Sequence, residues 1–283
     1  MPGLEWDRFA SVRAVNAATI AEVEHENFIA ALTEVDSAVP GSLIRREHGV
    51  VLLASGLPVR LFNEVLIGDA SATADGIAAA VAVQRGRHER FVVNLRRGAD
   101  DRFVGLMSDL GLALPTDHAP LPGMALDPIP EGAPRRIGGF EVRAVADASG
   151  LEDHIVTAAA GFGLPEEILR AIIAPDLWQR PDRTVYVGYA EGAPVTTGLG
   201  VRTGPAIGVY NIATVDSARK RGYGEVMTAR IAADARAAGC RVAILQSSPM
   251  GFPIYKRLGY RTVVEYDGYI EPEASEVPAS APS

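Results

Sequence analysis

The sequence predicts an α+β chain of two successive domains, each a mixed twisted sheet flanked by helices, and three observations carry that reading. At 283 residues the chain exceeds the usual size of one compact domain. The stretch "LPTDHAPLPGMALDPIPEGAPRRIGG", starting at Leu114, concentrates proline and glycine, and neither helical nor strand periodicity survives there. On both sides of it the order strand, helix, strand, helix recurs. These set the expected division at 1–135, 136–270 and a 271–283 tail. The tail, "EPEASEVPASAPS", has almost nothing apolar to bury and is expected to be disordered.

In the C-terminal part, strands are expected at 140–144, 184–189, 195–201, 207–215 and 241–246, with further strand near 261–270. Helices are expected at 148–160, 164–174, 222–238 and 250–258, the third ending at Gly239. The 207–215 strand, the 222–238 helix and the 241–246 strand form one βαβ unit, whose strands should be parallel with a right-handed crossover. Val226, Ala229, Ala233 and Ala237 give that helix a face of small residues suited to close packing on a sheet. The N-terminal part repeats the outline more weakly: strand 59–67, helix 73–84, strand 91–95, helix 101–110 ending "SDLGL" beside the later "YKRLGY". The shared order points to a duplication.

Composition narrows the function. Apolar residues make up 48% and charged residues 22%, as in a soluble globular protein. A net charge of −8 excludes the broad basic field that nucleic acid or an anionic membrane demands, so any anion site must be local. A lone cysteine, Cys240, excludes an internal disulfide and fits a reducing compartment. His25, His48, His88, His118 and His154 make no metal-ligand spacing, so no metal is expected. The start "MPGLEWDRFA" is not a basic-then-apolar signal, and no apolar run approaches the roughly 20 residues of a membrane span. A cytoplasmic protein is the expectation.

The most informative stretch is "VDSARKRGYG", from Val215 to Gly224, between a strand and a helix. A helix start offers unpaired N–H groups and a partial positive charge, which favour an anion. Gly222 and Gly224 allow close backbone approach, and Arg219, Lys220 and Arg221 add charge, so a diphosphate suits the loop. It is not a P-loop, and Met227 stands where the dinucleotide fingerprint needs its third glycine.

This arrangement resembles the R/Q-x-x-G-x-G/A signature of the GNAT (GCN5-related) N-acetyltransferase superfamily. The later "SSPMGFPIYKRLGYRTV" resembles that family's next helix, with Tyr255, Gly259 and Tyr260 supplying its Tyr-x-x-x-Gly-aromatic ending. The resemblance covers roughly 142–269 and implies two tandem GNAT-like domains, the first degenerate. It also implies acyl transfer from acetyl-CoA, as acyl-donor substrate, to an amine acceptor on a small molecule or peptide. The pyrophosphate would sit on Arg219, Lys220, Arg221, Gly222, Tyr223 and Gly224, and the pantetheine arm would pair with Ile212, Ala213, Thr214 and Val215. Asp216 stands where family members often carry proline and puts negative charge beside the loop.

By the same resemblance Tyr255 is the general acid for the CoA sulfur. A phenol near 10 facing a thiol near 8.5 would give up its proton uphill by about 2 kcal/mol, so its hydrogen bond can matter more than transfer. Tyr210 and Asn211 stand where a base or its ordered water would sit, with Glu152, Asp153 and His154 as alternatives. For these three the simpler reading is two acids complementing the helix dipole in a first turn and a surface histidine.

The N-terminal half lacks the signature. Its loop reads "GDASATADG", Asp69 and Asp75 would repel a diphosphate, and Ser71 or Thr73 can cap the helix. Matching Leu110-Gly111 to Leu258-Gly259 puts Met107 opposite Tyr255. This half would wall the acceptor cleft or form a homo-oligomer surface. The competing function is a non-catalytic acyl-CoA-binding sensor or scaffold.

Overall fold

A computed structural model of the chain describes residues 17–87 and 90–272. Most of the tail, residues 273–283, lies outside them, as does the expectation placed on it. The chain forms two compact units, and neither is a contiguous half. The larger joins the described residues up to Ala31 to Pro122–Val263, and the smaller joins Leu32–Leu121 to the described residues from Val264 onward. The division near 135 expected from composition therefore differs from the division by contacts.

In the larger unit the strands are β5 (Leu121–Leu126), β6 (Phe140–Ala144), β7 (Arg183–Ala190), β8 (Ala193–Thr203), β9 (Ala206–Thr214) and β10 (Val242–Gln246). They lie in the order β5-β10-β9-β8-β7-β6, with β9 and β10 parallel and the other pairs antiparallel. The helices are α1 (Ala17–Ala38, as far as Ala31), α4 (Ala148–Phe162), α5 (Glu166–Ile172), α6 (Tyr223–Ala237) and α7 (Phe252–Arg257). Both α4 and α6 pack along β8 and β9. Two helices that run along the same two strands must cover opposite faces of them. Glycine permits both contacts: a Cβ on Gly161 of α4 would stand 2.8 Å from Ala213 Cβ, and one on Gly198 of β8 would stand 2.7 Å from Ile231 and 2.9 Å from Met227 of α6.

The packing face of α6 is not the small-residue stripe the sequence suggested. Of the predicted stripe only Val226 is buried, together with Met227, Thr228, Ile231, Ala232 and Ala235, whereas Ala229 and Ala233 are only partly covered and Ala237 is exposed. Met227 and Ile231 bury more apolar area than alanines can, and that decides the rotation of the helix. Two elements of the larger unit went unread, as did the strands Leu43–Glu47 and Val50–Ala54 of the smaller. β5 lies inside the Pro/Gly-rich stretch and pairs with β10 through main-chain groups, Ser247 N donating to Pro122 O (2.9 Å). Helix α1 was the other.

In the smaller unit β1 (Leu43–Glu47), β2 (Val50–Ala54), β3 (Asn63–Ile67), β4 (Val92–Arg96) and β11 (Arg261–Tyr269, from Val264) follow in that order across the sheet. Only β3 and β4 are parallel, joined by α2 (Ala74–Gly86), and α3 (Val104–Asp109) follows. Their core joins Val65 and Ile67 of β3, Ile77 and Val81 of α2, Val93 and Leu95 of β4, and Met107 of α3. The strand expected at 59–67 is shortened, because Arg60–Phe62 turn as a 3-10 helix.

The two units end their last helices alike. In the smaller, Leu112 N donates to Met107 O (2.8 Å) and Gly111 adopts φ 69°; in the larger, Tyr260 N donates to Tyr255 O (3.0 Å) and Gly259 adopts φ 95°. Met107 thus occupies the place of Tyr255, as the sequence comparison proposed.

Glu64 of β3 is 1% exposed and accepts a hydrogen bond from Asn94 Nδ2 (2.6 Å), and burial pushes its carboxyl up to about 8. It is therefore protonated at neutral pH.

Two measurements test this packing. Gly198→Ala should cost about 1–3 kcal/mol through overpacking against α6, read as a lower urea midpoint. For Glu64 the folded-state value exceeds the unfolded one, so stability should fall as pH rises from about 4.5 to about 8 and then level. Glu64→Gln removes that titration, so its urea midpoint relative to the unsubstituted protein should climb across the same window.

Candidate active site

The site begins where a sheet ladder stops. β9 and β10 pair only from Ala206↔Val242 to Gly208↔Ile244, and beyond these rungs the two strands part. On its other edge β9 carries a bulge. Leu199 faces Tyr210 and Thr197 faces Ala213, so one extra residue sits on β9 and Asn211 takes φ 53°. Asparagine tolerates this left-handed geometry better than the β-branched residues around it. Threonines of β8 hold the bulge: Thr197 Oγ1 donates to Asn211 O (2.7 Å) and Thr196 Oγ1 to Ala213 O (2.6 Å). The segment 212–215 after it leads toward α6.

His154 lies under this bulge and is not the surface residue expected. It is fully buried, with Nδ1 placed 3.0 Å from Tyr186 O, which makes that nitrogen the donor and leaves Nε2 as an acceptor 3.4 Å from Asn211 Nδ2. Burial lowers the imidazole to about 4, so it is neutral at physiological pH. The acids beside it lie beyond the first turn of α4. Glu152 pairs with Arg170 (2.6 Å), and Asp153 accepts a hydrogen bond from Tyr189 Oη (2.7 Å).

The loop after β9 turns through Asp216–Ala218, places Lys220 at φ 63° and Gly222 at φ 86°, and enters α6 with Gly222 as N-cap and no side-chain cap. The first amides of α6, those of Tyr223, Gly224 and Glu225, have no acceptor among the described residues. Lys220 and Arg221 are exposed. A further cation stands close by: a Cβ on Gly222 would lie 3.7 Å from an Arg135 guanidinium nitrogen. Arg135 was missed because it comes from the segment read as a linker, far from the loop in sequence.

Arg219 behaves differently from its neighbours. Its guanidinium donates to Gly161 O (2.7 Å) and Thr214 O (3.2 Å) and pairs with Asp216 (2.7 Å), so it braces the loop against α4 and β9. Asp216, the departure from the usual proline, is held by that pair. The side chain of Tyr223 is buried and stacks on Phe140 with ring centroids 4.3 Å apart, which leaves its N–H as the group facing the loop. A Cβ on Gly224 would meet only Thr214 and Ile212 side chains, at 3.5 and 3.7 Å.

The equivalent helix start in the smaller unit is closed. Thr73 Oγ1 accepts from Gly76 N (3.1 Å), and Asp69 Oδ1 accepts from Ser71 N (2.7 Å). The helix start thus carries a side-chain cap, with Asp75 in its first turn.

Tyr255 of α7 packs in one apolar cluster with Met227 and Ile212, over Gly251 and 5.9 Å from the Tyr260 ring. Burial pushes its phenol up to about 12. Tyr210 Oη donates to Asn27 Oδ1 (2.6 Å), and burial raises that phenol well above 10. Of the three residues singled out for catalysis, Tyr255 belongs to an apolar cluster that Ile212 packs against, whereas Tyr210 and Asn211 are engaged by α1 and His154. Among the described residues no group of three or more His, Cys, Asp or Glu could hold a metal ion, and no helix is long and apolar enough to cross a membrane.

No family model matches the sequence, and no curated protein does. Solved structures do match. A GCN5-related N-acetyltransferase from Kribbella flavida superposes with a TM-score of 0.66 at 17% identity, over 89% of this chain and 96% of that one. A second, from Sphaerobacter thermophilus, gives 0.56 at 16% identity over 91% and 94%. A tandem GNAT protein from the clavulanic acid biosynthesis pathway gives 0.57 at 13% identity over 90% and 96%. With the parallel βαβ unit, its bulged first strand and the matched helix ends of the two units, these likenesses show that the chain has a tandem GNAT-like fold.

Proposed function

We propose that the protein is an N-acetyltransferase that moves an acetyl group from acetyl-CoA directly to the amine of a small molecule or peptide, using the donor site of the larger unit alone. One observation carries the proposal: the start of α6 has unpaired amides, no side-chain cap and the cations Lys220, Arg221 and Arg135 around it, while the matching helix start in the smaller unit is capped by Thr73 and carries Asp75 in its first turn. An open helix start with local positive charge is what a diphosphate needs. The extended pantetheine arm would satisfy main-chain groups of Ile212, Ala213, Thr214 and Val215 as an added strand. Direct transfer needs no protein nucleophile, and Cys240, buried and raised by desolvation, lies at the exit of α6.

In this reading the neutral amine nitrogen attacks the thioester carbonyl and gives up its proton to solvent water, and the C–S bond breaks as the tetrahedral intermediate collapses to the amide and the CoA thiolate. Tyr255 faces the sulfur. With its phenol near 12 and a thiol near 8.5, full proton transfer runs uphill by about 5 kcal/mol. Its contribution is thus a hydrogen bond to developing thiolate charge. Tyr210 is held as a donor, Asn211 has no basic atom, and His154 is a weak base, so none of the three is the general base. That same engagement supports the second reading, a CoA-binding sensor without turnover.

Calorimetric titration with CoA and a thiol-release assay over an amine panel separate the two: binding with turnover supports transfer, binding alone supports the sensor, and no binding at millimolar CoA sinks both. Gly224→Ala has room in the fold, so it should leave the thermal midpoint in place yet lower CoA affinity at least about tenfold, by placing a methyl where the diphosphate approaches. Tyr255→Phe should reduce kcat by about 10–100-fold with KM for the donor nearly unchanged, and equal kcat at saturating donor would remove its assigned role.

A further inference from the structure

Helix α1 precedes every element of the βαβ unit by well over 150 residues, yet it packs on the strands of that unit. Ile20 and Val23 are buried against Ala125, Ala206, Val242 and Ile244. Glu24 and Asn27 continue the same helical face, and both are fully buried. Each reaches one of the two parting strands. Asn27 Oδ1 accepts from Tyr210 Oη of β9 (2.6 Å), while its Nδ2 donates to Val201 O (3.0 Å) and Thr203 Oγ1 (2.7 Å) of β8. Glu24 Oε1 accepts from Gln246 Nε2 of β10 (2.5 Å).

The positions matter. The last rung of the β9–β10 ladder is Gly208↔Ile244, and Tyr210 and Gln246 each lie two residues beyond it, on the same face as that rung. Where main-chain pairing ends, side chains anchored on α1 take over. Gly208 supplies an independent sign. It interrupts the β-branched and aromatic run "AIGVYNIAT", where glycine weakens a strand, and a methyl there would overlap both Asn27 Oδ1 and the Tyr210 ring.

We propose that Glu24 and Asn27 are positioning residues. They form a clamp that fixes the width of the β9–β10 opening and anchors Tyr210 immediately before the bulge at Asn211, so that segment 211–215 is held ready for an extended ligand. Its catalytic consequence rests on the acyl-transfer reading, while its structural consequence does not. Glu24 works through hydrogen-bond acceptance rather than as a base, so its neutral isostere should replace it.

The test is backbone hydrogen exchange on the full chain, without any acyl donor. Glu24→Ala should speed exchange of the 210–213 amides at least tenfold relative to those of β7, while Glu24→Gln stays within about threefold of the unsubstituted protein. Gln246→Met, which removes the same link from the β10 side, should match Glu24→Ala and serves alone if Glu24→Ala does not fold. Unchanged exchange in Gln246→Met and Glu24→Ala would overturn the clamp, as would a Glu24→Gln variant as fast as Glu24→Ala. If the protein turns over, Glu24→Ala should lower kcat/KM for the donor at least tenfold, and Glu24→Gln should keep both the rate and the shape of the pH profile. A protein that shows the exchange pattern but no turnover keeps the clamp and loses the enzyme.

Discussion

Everything in the site follows from two parallel strands that cannot stay paired. β9 and β10 share three rungs, and shortly after the last of them β9 gains an extra residue at Asn211 on its other edge, a bulge of the kind that bends a strand. Buried main-chain N–H and C=O groups need partners, and a parted pair leaves some without them. A groove lined with such groups is a ready receptor for an extended chain carrying amides. The glycines at 161 and 198 serve the same end, since they let α4 and α6 press close to the strands and hold the bulge from both sides.

The second constraint is the balance of charge at a helix start. In one unit Thr73 caps the helix through Gly76 N, and Asp75 in the first turn adds negative charge. In the other, Gly222 occupies the cap without a side chain, and the cations have been sorted by role. Arg219 is consumed in bracing the loop, with Asp216 as its partner, while Lys220, Arg221 and Arg135 remain at the surface around it. The two copies thus share a framework and differ at this helix start, which carries a side-chain cap in one and none in the other. The exchange of Tyr255 for Met107 at the same helical position says the same of the chemistry.

The local signals were legible. Strand 140–144 and the α6 and β10 boundaries agree with the structure to within a residue or so, because turn residues and β-branched runs report directly on backbone geometry. The turn and helix start at 216–223 were legible for the same reason. What was not legible is long-range. Nothing local says that α1 belongs with strands near 206 and 242, that β5 can pair inside a proline-rich stretch, or that Arg135 returns to Gly222. His154 was misplaced because a single polar residue on a helix does not announce that its ring fits beneath a bulge. The alanine stripe of α6 misled because small size permits close packing without requiring it.

The interleaving of the units also bears on how the chain is made. Glu24 and Gln246 are 222 residues apart, so α1 leaves the ribosome long before the strands it joins have been translated. Until then its apolar face with Ile20 and Val23 has no native partner, and the closure that finally seats it ranks among the most distant contacts in the protein. The smaller unit waits in the same way, because the strand that pairs with β4 follows all the other described strands in sequence. Neither unit can mature ahead of the other on the nascent chain, and a fragment cut near residue 135 deprives both of a structural element.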